Sequence, residues 1–381
     1  MKLLGITAEY NPFHSGHKYH IEKSVSDLNP DAVVVVMSGN FTQRGSVACF
    51  DKWTRAKCAL LNGADLVIEL PVTFATASAE RFAYGSIYLL DKMNVKHISF
   101  GTENNLQELN KIASDLMSEN FEINLPPSVP FHIARQSALK EGKIIAKPNN
   151  ILAIEYLKAL NKLNSNILPH GIMRFGAGYH DTNIINDIAS ATKVRELMGE
   201  NCDYSSVVPD NLLDIYKNAS FICEDSFYSQ LIYSIISKSP SKLNKYAHIR
   251  EGIENRIYKC AFESKSYDDL VKNIKSKRYT YTAISRMLIS ILLGIKKEDL
   301  NENPLYLRVL GLNNKGAKAL GYIESVCDLP IVTKTSAAYN TLSPDAIKSL
   351  ELDIKASDIY YSLNLFANTG RPDFVNSPIK I

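Results

Sequence analysis

The run Asp31-Ala-Val-Val-Val-Val-Met37 permits few folds. Four consecutive valines without polar alternation suit a strand covered on both faces, the pattern of a parallel sheet sandwiched between helices. Similar runs recur at Leu3, Leu4 and Ile6, from Ala64 to Leu70 before Pro71, from Lys96 to Phe100, and from Ile167 to Phe175. Between them the spacing is helical, starting near Lys18 and continuing over Phe50 to Leu61 and Thr73 to Met93. Strands that alternate with helices and return to one edge predict a right-handed, doubly wound, Rossmann-like α/β sheet whose ligand site lies beyond the carboxyl ends of the strands.

The loops at that edge carry unusual chemistry. Asn11-Pro12 breaks the first strand, and His14-Ser15-Gly16-His17 leads into a helix. Backbone N–H groups at a helix start favour an anion, and an imidazole offers an N–H donor whether neutral or charged. The loop lacks the Lys-Ser/Thr of a Walker sequence and the GxGxxG of dinucleotide binders. Parallel topology brings Ser38 to Gly45 beside it, and Gly101 directly follows a strand. Pro148-Asn149-Asn150 reads as a loop and N-cap before the helix Ile151 to Leu160; one asparagine suffices to cap, leaving the other for adenine or ribose. Arg174 lies near the end of the fifth strand, and Ser190, Thr192, Lys193 and Arg195 open a further helix. Hydroxyls, N–H groups and an arginine fork at one helix start suit a triphosphate tail.

At 381 residues the chain is long for one core. We expect two domains, a doubly wound domain over 1–200 that carries the anion site and a mostly helical, basic region over 205–381 that ends in a small α/β segment. The 45% hydrophobic and 22% charged content excludes disordered and coiled-coil classes. No run of 18 apolar residues and no leader is visible, so a cytoplasmic protein without membrane contact is expected. Six scattered cysteines without CxxC spacing suggest buried thiols, neither a zinc site nor disulfides. Nothing in the text calls for an obligate protein partner.

The net charge of +3 is unevenly spread: Ser241 to Lys297 holds 13 Lys/Arg against 5 Asp/Glu. Such a concentration is the electrostatic footprint of a nucleic acid. Within it Lys272, Lys275, Lys277 and Arg278 interleave with Tyr279 and Tyr281, combining phosphate neutralisation with base stacking. Asn211 to Ile236 and Ile253 to Ile295 read as helices with core-forming stripes. Beyond Leu305, Arg308 to Gly311 and Leu329 to Thr333 read as strands that pack back on those helices.

His14-x-Gly16-His17 resembles the HxGH signature of the nucleotidylyltransferase superfamily, and Ser190-x-Thr192-x-x-Arg195 resembles its second signature. The ordered set AEYNPFHSGHKYH, MSGNFTQRG, ADLVIELP, FGTEN, PNNILAIEYLKAL, RFGAGYHD and IASATKVR closely resembles one family, the bacterial tRNA(Met) cytidine acetate ligases. The resemblance extends through Glu251 to Arg256, Lys277 to Thr282 and Leu307 to Gly311.

That resemblance implies activation of acetate by ATP as acetyl adenylate, with release of pyrophosphate. The acetyl group then passes to the exocyclic amine of the wobble cytidine of elongator tRNA(Met), giving N4-acetylcytidine. Carried over by position, ATP would meet Thr7, Ala8, Glu9, Tyr10, Asn11, Pro12, Phe13, His14, Ser15, Gly16, His17, Lys18, Tyr19 and His20. It would also meet Gly101, one of Asn149 and Asn150, Arg174, Ser190 and Thr192. His14 and His17 would act on the phosphates, and Lys193 or Arg195 on the leaving group. Mg²⁺ is expected to screen the triphosphate, although no carboxylate cluster identifies its ligands. His20 or Asp181 could take the amine proton. One departure stands in the basic tract, where Thr282-Ala283 replaces an expected Thr-Arg and leaves Arg286 to supply the cation toward tRNA. The competing readings are a small-molecule adenylyltransferase of the pantetheine-phosphate or nicotinamide-mononucleotide type, which leaves the basic half unexplained, and a non-catalytic RNA-binding protein.

Overall fold

The valine-rich strand β2 (Ala32–Ser38) is buried along its whole length and pairs in parallel with β1 (Leu3–Ala8). This is seen in a computed structural model of the chain, which describes residues 1–117, 147–173, 189–250, 252–362 and 370–381. Parallel pairing continues to β3 (Leu66–Leu70) on one side, and to β4 (His97–Thr102) and β5 (Leu168–Met173) on the other. The strand order β5-β4-β1-β2-β3 reverses direction between β1 and β4, so the crevice of the doubly wound sheet opens there.

Side chains on alternate positions separate two cores. Leu3, Val34, Val36, Leu66, Ile68 and Leu70 face one way, against α3 (Ala79–Lys92), α4 (Leu106–Met117) and α5 (Pro148–Lys162). Leu4, Ile6, Val33, Val35, Met37 and Val67 face the other way, against α1 (Ser15–Leu28), α2 (Lys52–Leu61), α6 (Ala191–Gly199) and α7 (Asp210–Asn218). The helix expected over Thr73 to Met93 is divided: a single turn at Val72–Ala75 stops at Thr76, and Ser78 caps α3.

The helices expected after residue 211 are also shorter and more numerous, because serines, a proline and a glycine interrupt them. α8 (Tyr228–Ile236), α9 (Ile253–Glu263), α10 (Tyr267–Ile274) and α11 (Tyr281–Leu293) surround a separate core. Its centre is α11, whose residues from Met287 to Leu293 are all buried. Phe41 and Val47, from the loop after β2, join this core. The close approach requires a glycine: Gly45 has φ +73°, and a β-carbon there would lie 2.3 Å from the backbone nitrogen of Arg286.

One expectation is corrected. The strands beyond Leu305 extend the sheet instead of packing back on the helices. β6 (Leu307–Leu312) pairs antiparallel with β3, followed by β7 (Ile331–Val332) and β8 (Ile379–Lys380), both parallel to β6. The chain thus crosses back over the division expected near residue 205. Burial of charge explains the return. Lys52, fully buried on α2, pairs with Glu69 of β3 at 2.8 Å and with Asp373 at 2.7 Å, and Arg308 of β6 binds the same two carboxylates. The long helices α12 (Asn314–Val326) and α13 (Pro344–Ser362) connect these strands.

Candidate functional site

His14 caps α1 through its Nδ1, which accepts the N–H of Gly16 at 3.1 Å, while His17 Nδ1 accepts the N–H of His14 at 3.3 Å. With both Nδ1 lone pairs so engaged, the proton of each neutral ring resides on Nε2, and each ring presents an N–H donor. The rings lie 3.8 Å apart between centroids, and Tyr10 packs edge-on against His17 at 4.9 Å. Other elements hold the loop in place. Asn11 Oδ1 accepts from Cys49 N at 2.7 Å, and Tyr216 of α7 donates to the Phe13 carbonyl at 2.8 Å. Arg55, fully buried, donates to the carbonyls of Glu9, Ser38, Gly39 and Phe50, fixing the loops after β1 and β2 together.

These loops border a cavity of about 640 Å³, a size suited to a nucleotide. Thr7, Ala8, Glu9, Tyr10, Asn11, His14, Gly16, His17, Tyr19 and His20 line it, together with Gly101 of β4 and Asn149 of α5. Ser190, Thr192 and Arg195 line it from the start of α6. Ser190 also caps that helix, accepting from Lys193 N at 3.2 Å, and Arg195 bridges the Thr192 hydroxyl at 3.2 Å and the Asn11 carbonyl at 2.5 Å. The hydroxyl of Tyr10 is buried without a hydrogen-bond partner among the described residues.

Several expected residues fall elsewhere. Pro12, Phe13, Ser15 and Lys18 shape the loop without lining the cavity, Phe13 as a core residue and Lys18 paired with Glu22 at 3.9 Å. Lys193 is likewise outside it, paired with Glu196 at 3.5 Å, because position 193 points away from the face that carries Thr192 and Arg195. Arg174 and Asp181 lie outside the described residues.

The helix α5 begins at Pro148, capped from Lys147, so neither asparagine is the N-cap. Asn150 is fully buried and ties helix to strand, accepting from Glu103 N at 3.0 Å and donating to Asn104 Oδ1 at 2.9 Å. Asn149 donates to the Glu103 carboxylate at the cavity edge, and Asn149→Ala is expected to weaken ATP binding with a smaller effect on melting than Asn150→Ala. Asn150→Ala is expected to lower stability by ~1–3 kcal/mol, the cost of two lost buried hydrogen bonds. Paired calorimetric titration and thermal melts check both.

His20 heads a hydrogen-bonded series. Its Nε2 lies 3.0 Å from Ser99 Oγ, which is 3.3 Å from His170 Nδ1, and His170 Nε2 is 3.4 Å from Asp27. This fixes the His20 ring at the cavity edge.

The helical region contributes Thr280, Thr282 and Arg286 to the cavity, and the loop after β2 contributes Gln43, Arg44 and Ser46. Arg286, expected to supply a cation toward tRNA, lines the cavity from α11, where that helix packs on Gly45. The threonines and Gln43 were missed because sequence spacing gives no sign of that contact. The remaining basic residues Lys272, Lys275, Lys277 and Arg278 are exposed, although Lys272 pairs with Asp268 at 2.5 Å. Tyr281 is 40% exposed, whereas Tyr279 packs partly into the helical core and offers little face for stacking.

His248 lies near this wall, pushed down to about 4 by burial and then by the Arg286 and Arg81 guanidiniums. A histidine neutral in the fold and charged when unfolded adds stability above its ordinary pKa of 6.5, lost as the pH falls toward 4. Acidification from 7 to 4.5 is therefore expected to remove on the order of 2 kcal/mol through this residue. Urea titrations should show a shallower pH dependence in His248→Gln.

The family described as HIGH nucleotidyl transferase matches residues 1–372. A protein of Clostridium perfringens named tRNA(Met) cytidine acetate ligase is 40% identical over 407 aligned residues, covering 100% of this chain and 99% of its own. The crystal structure of Thermotoga maritima TmcAL without ligand superposes with a TM-score of 0.93 at 32% identity, over 100% of both chains. The same protein bound to alpha-thio ATP gives 0.91 at 31%, over 100% of this chain and 99% of that one.

Proposed function

Because the chain belongs to the HIGH nucleotidyl transferases and, within them, to the tRNA(Met) cytidine acetate ligases, we propose that its cavity activates acetate with ATP and passes the acetyl group to the wobble cytidine of elongator tRNA(Met). The observation that carries this reading is the reciprocal histidine cap. It commits both Nδ1 atoms to the backbone, on a cavity wall that Arg195 shares, so that the Nε2 atoms are the ring positions left to carry the proton.

In the first step an acetate oxygen attacks the α-phosphorus, the O–P bond forms, and the bond to the β-phosphate breaks with release of pyrophosphate. His14 and His17 donate to phosphate oxygens as charge builds, while Arg195, Ser190 and Thr192 hold the departing end. Lys193, paired with Glu196, assists only as a nearby charge. Asn149 and Gly101 suit the nucleoside, and Arg174 is kept as a proposed contact. Mg²⁺, if bound with the nucleotide, would screen the triphosphate charge. Among the lining residues Glu9 is the only carboxylate, and the described residues contain no group of three metal-binding side chains, so triphosphate oxygens would carry most of its coordination.

In the second step the cytidine amine attacks the acetyl carbon. The C–N bond forms, the C–O bond to AMP breaks, and the amine loses a proton. His20, positioned through Ser99, His170 and Asp27, is our choice of acceptor, with Asp181 as the other. The tRNA would approach over Lys275, Lys277, Arg278 and Tyr281. The exposed Lys272–Asp268 pair is weak enough to give way to a phosphate. No helix among the described residues is long and apolar enough to cross a membrane, and we place the enzyme in the cytoplasm with its tRNA.

Pyrophosphate release with ATP, Mg²⁺ and a panel of carboxylates tests the first step. Release that requires acetate supports the reading. Release with 4′-phosphopantetheine or nicotinamide mononucleotide, and none with acetate, would replace it with a small-molecule adenylyltransferase.

A further inference from the structure

Among the described residues the fully buried cations are compensated, whereas Arg286, partly exposed in the cavity wall, is not. Lys52 and Arg308 share two carboxylates, and Arg55 donates to four carbonyls. Arg286 instead makes a single 3.3 Å bond, from Nη1 to the Gln43 carbonyl, and no carboxylate of the described residues pairs with it. Burial pushes its guanidinium down to about 10, with nothing acting in the opposite direction. A largely desolvated guanidinium at a cavity wall with most of its donors unused favours an anion in the space before it.

The surroundings reinforce this. His248 is held neutral partly by the positive field of Arg286 and Arg81, so this part of the wall is electropositive, Glu9 being the carboxylate among the described lining residues. The hydroxyls of Thr280 and Thr282 line the cavity alongside. Among the described residues Arg286 is the one cation that the helical region contributes to this space, and it reaches it from a different element than His14, His17 and Arg195.

We propose that Arg286 holds the carboxylate of the acyl substrate, presenting it to the α-phosphorus of ATP. This deepens the ligase reading and rests on it. A guanidinium fork matches the two oxygens of a carboxylate, and an enclosed position suits a small anion better than the backbone of an RNA, for which the exposed Lys275, Lys277 and Arg278 are better placed. When one oxygen bonds to phosphorus and pyrophosphate leaves, the other becomes the carbonyl oxygen of the anhydride and stays on the Arg286 donors.

The test is acetate-dependent exchange of labelled pyrophosphate into ATP, which needs no tRNA, run on wild type, Arg286→Gln and Arg286→Lys. The Michaelis constant for acetate should rise roughly 10- to 100-fold in Arg286→Gln, the value of a charge-assisted fork, and less in Arg286→Lys. Dissociation constants for ATP and tRNA should stay within about twofold. Should Arg286→Gln not fold, by thermal melt, Arg286→Lys carries the test, because a lone ammonium cannot reproduce the fork. An unchanged acetate constant overturns the proposal, as does a loss confined to tRNA binding or to ATP binding. A wild-type protein without acetate-dependent exchange would overturn the ligase reading itself, whereas an active wild type with unaffected variants would overturn only the role of Arg286.

Discussion

His14→Asn is expected to lower the rate of acetate-dependent pyrophosphate release by ~10²–10³-fold, the effect of removing one preorganised donor to developing charge. The substitution is chosen because asparagine is a strong N-cap. Its side-chain oxygen can still accept the Gly16 N–H that His14 Nδ1 now accepts at 3.1 Å, so α1 keeps its cap. What disappears is the imidazole Nε2, the donor that the proposed mechanism assigns to the phosphates. Thermal melting should therefore shift by no more than a few degrees while the rate collapses. His14→Ala removes cap and donor together, and its extra loss of stability, ~1 kcal/mol, measures the cap alone. A rate within threefold of wild type in His14→Asn would reduce His14 to a structural residue.

Lys52→Met is expected to cost ~3–5 kcal/mol of folding stability, as the removal of one partner from a buried ion network does. Methionine fills similar space but leaves the buried carboxylates of Glu69 and Asp373 with only Arg308 between them. Burial alone would raise the Asp373 carboxyl; Lys52 and then Arg308 hold it below the usual carboxylate range, so losing Lys52 forces it to take up a proton or to seek water. The damage should centre where the chain end rejoins the sheet, with faster amide exchange in β6 and β8. Adding Asp373→Asn restores the balance of one acid to one base, and the double variant should recover part of the loss. Denaturant titration decides: a cost below 1 kcal/mol in the single variant would mean that the network does not hold β6 to β3.

The first half of the fold was legible because its strands are local statements. Val33 to Val36 cannot serve an amphipathic helix or a half-exposed strand, and the breaks at Asn11-Pro12 and Pro71 mark where β1 and β3 stop, on either side of β2. The histidine pair was legible for the same reason, since its capping geometry spans only four residues. Contacts made across the chain were not. Nothing near Thr280 or Arg286 indicates that α11 will pack on Gly45 and turn a basic residue into the nucleotide cavity. Lys193 and Arg195 look equivalent in the sequence; only the helix face, and Glu196 one turn on, separates them. The return of β6 depends on a buried charge balance among residues 52, 69, 308 and 373, which no window of sequence contains.

The most direct measurement is transfer of label from carboxyl-labelled acetate into purified tRNA in the presence of ATP, followed by digestion to nucleosides. We predict ATP-dependent label in N4-acetylcytidine, derived from elongator tRNA(Met) and absent from a variant of that tRNA lacking the wobble cytidine. Label that never reaches tRNA, or that reaches it equally without ATP, would contradict the account.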